Sequence, residues 1–296
     1  MKLAIGVGDD EATTDAIALG AAIARTFPDV DPTAVHVYNN HHQYIARAGV
    51  DFDWEAYSEE QADRIVNRSA TEMNEKFGVS GCGTGITGHR SSGHGLTDFA
   101  HDQDSDWIVI GSAPGGSLDR FTIGSTANQL LHGASTPIVL APMGFRRRDV
   151  TKLDRVVVAL GSGEEGKRTL RTAAKFAQSS GLPLVMLTIV LHNRMSLAGL
   201  PKNIDQELLE DAVNSARATQ AEALTDSDLA DLPIDHEVLE GDTVSDAISR
   251  LDWNGGDLLL VPSSRGILRR VFLGDMNYKI VRATRVPTLV LPRLTD

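Results

Sequence analysis

The chain has 296 residues, enough for two domains of average size. Its 28 Lys and Arg against 40 Asp and Glu give a net charge of −12, which argues against a protein that holds nucleic acid on a basic face. Apolar residues make up 42% of the chain and charged residues 23%; this composition excludes a disordered chain.

Two further classes are excluded by simple counts. A single cysteine, Cys82, rules out an intramolecular disulfide framework, and with no basic neighbour in the sequence it is expected to be an inert thiol. No apolar run reaches the ~18 residues of a membrane span, and acidic residues directly follow the short apolar start, unlike in a signal peptide. We therefore expect a cytoplasmic protein with no membrane span.

The first half of the chain alternates apolar strands with helical patterns. Short apolar runs begin at Leu3, Ala34, Trp107 and Ile138, and helical periodicity follows the first two, over 16–24 and 59–76. Unbroken Val, Ile and Leu runs predict strands buried on both faces, as in a parallel sheet with helices on each side. In such doubly wound α/β domains, ligands bind beyond the carboxyl ends of the strands.

The second half repeats this pattern in the same order. The segment SDWIVIGS at 105–112 corresponds to GDLLLVPS at 256–263, and FTIGSTANQLL at 121–131 corresponds to VFLGDMNYKIV at 271–281. Conserved order along both halves indicates a duplication. We predict a first domain over 1–143, a basic linker over 144–152 and a second domain over 153–296.

The last strand of each half predicts how the two domains meet. Each follows a proline, Pro137 or Pro287, which suits a strand at the edge of its own sheet. Two bare apolar edges would promote aggregation. We expect the two strands to pair across a pseudo-twofold axis, so that the domains form a pseudo-dimer.

The loop after the fourth strand carries the clearest chemical signal. It ends at Gly124, Ser125 and Thr126, just where a helix is predicted to open. Free backbone amides and hydroxyls at a helix start form a ready site for phosphate. The alternative is that Ser125 is a plain helix N-cap.

These residues resemble the universal stress protein family, and specifically its tandem two-domain members. The family pattern is Gly, two residues, Gly, nine residues, Gly, then Ser or Thr. This chain has Gly111, Pro114 in place of the second glycine with Gly115 beside it, and then Gly124 and Ser125. The resemblance covers both halves and implies five-stranded parallel sheets of strand order 3-2-1-4-5.

The resemblance also implies a ligand and the residues that hold it. Family members that bind ATP hold ribose and phosphates on this loop and adenine after strands one and two. The implied ligand is ATP or AMP, with Mg²⁺ accompanying it. The implied first-half site comprises Val7, Gly8, Asp9, Val37, Gly111, Ser112, Pro114, Gly115, Gly124, Ser125 and Thr126.

The second half departs further from the family pattern. Asp275 stands where Ser125 stands in the first half, and a carboxylate at a helix start repels phosphate. The family's usual Asp after strand one is also replaced, by Gly8 and by Gly161. A second site is therefore expected to be degenerate. Its candidate residues are Leu160, Gly161, Ile189, Pro262, Ser263, Arg265, Gly266 and Gly274.

Several other motifs carry less weight. The Gly161–Gly166 segment matches the dinucleotide-binding pattern, but no acidic residue ends the next strand, as that pattern requires.

The histidines lack zinc-site spacing and are expected to lie in surface loops. They include His36, His41 and His42 after strand two, and His89 and His94 around strand three. Two insertions, 50–57 and 195–204, are read as lids or partner surfaces, or as segments packed on their own domain.

Taken together, these features predict a stress-response regulatory module that binds an adenine nucleotide mainly in its first half. A homodimer and an unknown regulatory protein are the expected partners. We expect no enzyme activity beyond slow ATP hydrolysis, since no residue stands out as a base. The alternatives are a nucleotide-free interaction scaffold of the same fold, or an enzyme of a related fold such as an ATP pyrophosphatase or an electron-transfer flavoprotein.

Overall fold

The protein is described by a computed structural model that covers most of the chain. The described residues are 1–40, 53–115, 117–161, 163–192, 202–225, 229, 232–262 and 275–292.

The first half alternates strands and helices as its sequence predicts. Its strands are β1 (Lys2–Gly6), β2 (Asp31–Tyr38), β3 (Gly83–Gly88), β4 (Trp107–Gly111) and β5 (Ile138–Ala141). Its helices are α1 (Glu11–Thr26), α2 (Trp54–Glu75), α3 (Ser92–Asp102) and α4 (Ser125–Gly133). A short 3-10 turn, Phe145–Arg147, follows β5 in the linker.

The second half has the same order of elements. Its strands are β6 (Arg155–Ala159), β7 (Leu184–Leu191), β8 (Ile234–Gly241), β9 (Asp257–Val261) and β10 (Thr288–Val290). Its helices are α5 (Gly163–Ser180), α6 (Lys202–Ala223), α7 (Val244–Ile248) and α8 (Asp275–Ala283).

All these strands belong to one sheet, with the order β3-β2-β1-β4-β5-β10-β9-β6-β7-β8. Within each half neighbouring strands are parallel, which confirms the predicted order 3-2-1-4-5. The halves meet where β5 pairs with β10 in antiparallel fashion, Val139 opposite Leu289. The predicted joining of the last strands is thus what buries both apolar edges.

Alternate residues of the strands pack on opposite faces of the sheet. Val156 and Val158 face the core that α1, α2 and α5 cover, whereas Val157 faces the core that α3, α4, α7 and α8 cover. The continuous apolar runs read from the sequence therefore do lie in a sheet covered on both sides.

Aromatic side chains add a second contact between the halves. Phe176 of α5 packs edge-on against Trp107 of β4 and Phe27 at the end of α1, with ring centroids 5.1 Å and 6.5 Å apart, respectively. Such edge-to-face pairs contribute about 0.5–1.5 kcal/mol beyond the area they bury.

The structure corrects one sequence interpretation and leaves others open. Trp54 and Tyr57 lie in the first turn of α2, which Asp53 caps by accepting from the Ala56 amide at 3.0 Å. The described part of the first insertion is thus the start of a helix. Residues 41–52 and 193–201 lie outside the described residues; they include 50–52 of the first insertion and 195–201 of the second. In the part of the chain that is described, no helix is both long and apolar enough to cross a bilayer.

Candidate functional site

A cleft of about 340 Å³ opens where β1, β2 and β4 end. Strand order reverses between β1 and β4, and crevices at such switch points are the usual ligand sites of parallel α/β sheets. The predicted residues that line this cleft are Val7, Gly8, Val37, Gly111, Ser112, Pro114, Gly124, Ser125 and Thr126. The family-derived residues of the first half thus largely converge in space.

The loop between β1 and α1 forms one rim of the cleft and is closed by Thr13. The Thr13 hydroxyl accepts from the Gly8 amide at 2.6 Å and donates to the Gly8 carbonyl at 2.9 Å. Asp10 is the N-cap of α1, and its carboxylate accepts from the Thr13 amide at 3.3 Å. This turn therefore holds the backbone of Gly8 in place at the cleft.

Asp9 does not line this cleft. Its carboxylate pairs with the Arg68 guanidinium of α2 at 2.8 Å, and both side chains are largely exposed. Asp9 and Gly115 instead line an adjoining groove of about 730 Å³ between the start of α1 and α2. Among the predicted first-half residues, these two lie apart from the others.

Gly111 brings the end of β4 against the first turn of α1. A Cβ built on Gly111 would lie 2.1 Å from the Ala12 carbonyl oxygen, a backbone atom. Any side chain there would push α1 away from the sheet. The first glycine of the pattern is thus required by packing at the base of the cleft.

The loop from Ser112 to Gly124 folds back on itself. The buried Ser112 hydroxyl accepts from the Thr122 amide at 2.8 Å, and the Ala113 amide donates to the Thr122 carbonyl at 3.0 Å. These bonds return the chain to the cleft at Gly124.

Helix α4 starts at this point with its first amides open. Gly124 is the N-cap, with extended φ and ψ of −89° and −173°, and among the residues that the structure describes no side chain caps the helix start. Ser125 is the first helical residue, so the interpretation of Ser125 as a plain N-cap is wrong. Ser125, Thr126 and Ala127 line the cleft, and the first amides of an uncapped helix are donors that need a partner.

The opposite wall belongs to β2 and α3. Val35, Val37 and Leu96 pack together and give it an apolar surface. His36 alternates with the two valines along β2 and also lines the cleft. The His36 Nδ1 is 2.8 Å from the Val7 carbonyl oxygen. The sequence interpretation put His36 in a loop after strand two, whereas it lies within β2; its isolated position between two valines in a strand pattern was the available signal.

The comparisons with known proteins decide the family. The model of the universal stress protein family matches this chain twice, over residues 1–142 and 152–292. The chain belongs to the universal stress protein family. The two matches make it a tandem member, with one family unit in each half.

Whole-chain relatives support this membership. A universal stress protein of Mycobacterium bovis is 26% identical over 304 residues, covering 99% of this chain and 100% of the relative. A universal stress protein structure from Archaeoglobus fulgidus aligns with a TM-score of 0.65 and 14% identity, covering 99% of this chain and 98% of that one. A structure from Pseudomonas aeruginosa, described as a putative universal stress protein, aligns with a TM-score of 0.56 and 13% identity over 98% and 92% of the chains. Both structures share the fold.

This universal stress protein has a proline at the second glycine of the family pattern. Gly115, directly after Pro114, has φ of +78°, a conformation that glycine adopts without strain. The turn therefore has a left-handed residue at Gly115, beside the proline, and the loop still reaches Gly124.

The second unit of this universal stress protein is described only in part. Leu160, Gly161, Ile189 and Pro262 lie at or just beyond the carboxyl ends of β6, β7 and β9. Asn277 of α8 donates to the Pro262 carbonyl at 2.5 Å, which ties this helix to the end of β9. Ser263, Arg265, Gly266 and Gly274 lie outside the described residues, and α8 begins at Asp275, as the repeat alignment predicts.

Other candidate chemistry finds little support in the described structure. Within the described ranges, no three His, Cys, Asp or Glu side chains come together as metal ligands. Burial raises the pKa of the Cys82 thiol above its usual value, which disfavours the nucleophilic thiolate.

Proposed function

We propose that this universal stress protein is a regulatory module that binds ATP or AMP in the cleft of its first half. The observation that carries the proposal is the start of α4. Its first amides lack a side-chain cap and belong to residues that line a cleft. Such a helix start attracts anions through its free N–H groups and its dipole.

The two ends of the cleft suit the two ends of a nucleotide. The phosphates fit beside the amides and hydroxyls of Ser125 and Thr126. The base fits against the apolar wall of Val35, Val37 and Leu96. The cleft volume of about 340 Å³ falls in the range usual for small-molecule sites. Mg²⁺ bound with ATP would offset the negative charge of Asp10 at the rim.

We propose the first half as the main site because of how the second unit's helix begins. Helix α8 starts at Asp275, whereas α4 starts at Ser125. An acidic residue in the first turn satisfies the helix dipole and repels a phosphate. The second unit is proposed to bind nucleotide weakly or to have another role.

Binding rather than turnover is proposed for the first cleft. The titratable side chains among its lining residues are Asp10 and His36, and each holds a backbone group at the rim, Asp10 the Thr13 amide and His36 Nδ1 the Val7 carbonyl. Slow ATP hydrolysis is the most that we propose. The output is proposed to be recognition by a regulatory protein, with a homodimer as the assembled state.

The test is calorimetric titration with MgATP of the unaltered protein and of Ser125→Asp. The added carboxylate lies in the first turn of α4, where it stabilises the helix by about 0.3–1 kcal/mol while repelling phosphate. We expect the unaltered protein to bind MgATP at one site with micromolar affinity. In Ser125→Asp this affinity should fall at least about tenfold, while the Tm of the protein is unchanged or raised. Gly124→Asp is a less clean variant, because its Cβ would lie 2.7 Å from the Ala113 Cβ.

A matched control carries the same charge at the other end of α4. Gly133 is its last residue, and a Cβ there meets nothing within 4 Å. Gly133→Asp should bind MgATP like the unaltered protein. Two sites would show that Asp275 does not exclude nucleotide. No heat and no thermal shift at millimolar ATP would overturn the proposal in favour of a nucleotide-free scaffold.

A further inference from the structure

His36 presents one ring nitrogen to the protein and leaves the other open. Its Nδ1 lies 2.8 Å from the Val7 carbonyl oxygen. A carbonyl oxygen only accepts hydrogen bonds, so Nδ1 must carry the proton. In the neutral ring, Nε2 then holds a lone pair and acts as an acceptor.

The open nitrogen belongs to a residue of the cleft. His36 lines the cleft and is half-buried. Nε2 makes no hydrogen bond to any residue in the described ranges, and it is not among the polar atoms sealed from solvent. The structure thus offers a fixed, accessible acceptor on the wall that β2 contributes.

Sheet order places this acceptor away from the phosphate end. Strands β2 and β4 flank β1 on opposite sides. The loop after β4 leads into α4, whose open amides suit phosphate, and the apolar wall of Val35 and Val37 lies toward β2. A nucleotide bound with its phosphates at α4 therefore has its base beside His36.

The two acidic residues just before α1 each have a partner within the protein. Asp9 pairs with Arg68 at 2.8 Å, and Asp10 accepts from the Thr13 amide at 3.3 Å. Gly8 has no side chain. Along this wall the side chains that can accept a hydrogen bond are those of His36 and Ser92, and His36 is the one whose ring the Val7 carbonyl orients.

We propose that His36 Nε2 accepts a hydrogen bond from the exocyclic amino group of the bound base, and so makes the site selective for 6-aminopurine over 6-oxopurine nucleotides. This inference rests on the proposed function. An oxo group would point a lone pair at the lone pair of Nε2 and leave both acceptors unpaired. Sites built to hydrogen-bond a ligand group discriminate against the analogue that lacks it.

The test compares ATP with ITP, which replaces the 6-amino group by an oxo group and is otherwise the same. Both are titrated with Mg²⁺ at pH 8.0. We expect ATP to bind the unaltered protein about tenfold more tightly, the value of one such hydrogen bond.

Two variants of His36 separate its acceptor from its packing. Asparagine places an amide nitrogen near the position of Nδ1 but nothing at Nε2. His36→Asn should therefore lower the affinity for ATP to about that for ITP and leave the affinity for ITP nearly unchanged. Glutamine reaches the Nε2 position with an amide that can accept or donate. His36→Gln should therefore raise the affinity for ITP and keep the affinity for ATP, so that the preference for ATP is lost. His101→Asn, on the exposed end of α3, should behave like the unaltered protein.

The outcomes are distinguishable from those that test nucleotide binding itself. Binding of neither nucleotide to the unaltered protein overturns the proposed function and this inference with it. Equal binding of ATP and ITP overturns only the inference. So does a tenfold ATP preference that survives in both His36→Asn and His36→Gln, since that selectivity would come from another group.

Discussion

The Asp15 carboxylate in α1 holds Arg146 of the linker by both its backbone and its side chain. It accepts from the Arg146 amide at 3.0 Å and lies 3.1 Å from its guanidinium, and it also accepts from the Gly144 amide at 2.8 Å. Asp15 is only 1% exposed. The segment that joins the two units is thereby fastened to the helix whose first turn borders the cleft.

We expect Asp15→Asn to lower the free energy of unfolding by about 2–4 kcal/mol. The substituted amide would turn a donor toward groups that are themselves donors, inside a buried site. Urea unfolding followed by circular dichroism measures the change. Asp149→Asn, an exposed acid in the same linker, is the control and should cost under about 0.5 kcal/mol; equal losses in the two variants would contradict the role given to Asp15.

The Thr13 hydroxyl should matter more than its methyl group. Thr13→Val keeps the shape but leaves the Gly8 amide and carbonyl without their partner, so we expect a loss of about 1–3 kcal/mol and weaker nucleotide binding. Thr13→Ser keeps the hydroxyl and should stay within about 1 kcal/mol of the unaltered protein. The reverse order of these variants in thermal unfolding would show that packing, rather than the hydrogen bonds, holds the loop.

Tyr38 should ionise only at a pH well above the usual range of tyrosine. Its hydroxyl donates to the Glu59 carboxylate at 2.6 Å, and this bond, with partial burial and the negative charges of Glu59 and Glu55, raises its pKa from 10.0 to about 12. Because the pKa is higher in the folded protein, the contact stabilises the fold below pH 10, and its contribution is lost between pH 10 and about 12.

Ultraviolet titration of ionised tyrosine measures this shift. The unaltered protein should show a late step that Tyr38→Phe removes and that Glu59→Gln moves toward pH 10. A Tyr38→Phe protein that keeps the late step would assign it to another tyrosine.

Cys82 should react slowly while the protein is folded. Burial raises the pKa of its thiol, and the Gly83 carbonyl accepts from its Sγ at 3.4 Å. We expect the aromatic disulfide DTNB to modify it at least about tenfold more slowly in buffer than in urea, since the thiolate is the reactive form. Immediate stoichiometric reaction in buffer would contradict this.

The strands and helices were predictable because the spacing of apolar residues in the sequence reflects which side chains are buried. The strand runs and the repeat predicted a parallel sheet in each half, and the two proline-led strands predicted the pairing of β5 with β10. The strand order within each half followed from the family resemblance. The positions of Val7, Val37 and Ser125 around one cleft followed from the family resemblance, since the carboxyl ends of parallel strands share an edge.

The remaining features depend on contacts between residues distant in sequence. Asp9 turns away from the cleft to pair with Arg68 of α2. The two residues are 59 positions apart in the sequence, so no local pattern predicts that pair. Ser125 was read as a possible cap because serine favours that position, but the chain returning from Thr122 gives the cap to Gly124. His36 was grouped with loop histidines, because the bond to Val7 that orients it appears only once β1 and β2 are side by side.

The antiparallel junction of β5 with β10 has a consequence for what the molecule can engage. Strands of the first half run one way across the sheet and strands of the second half run the other way, so the carboxyl ends of β1 and β6 lie on opposite rims. A molecule bound at the first rim therefore leaves the second rim uncovered, and the two family units present their strand ends to opposite sides of one continuous sheet.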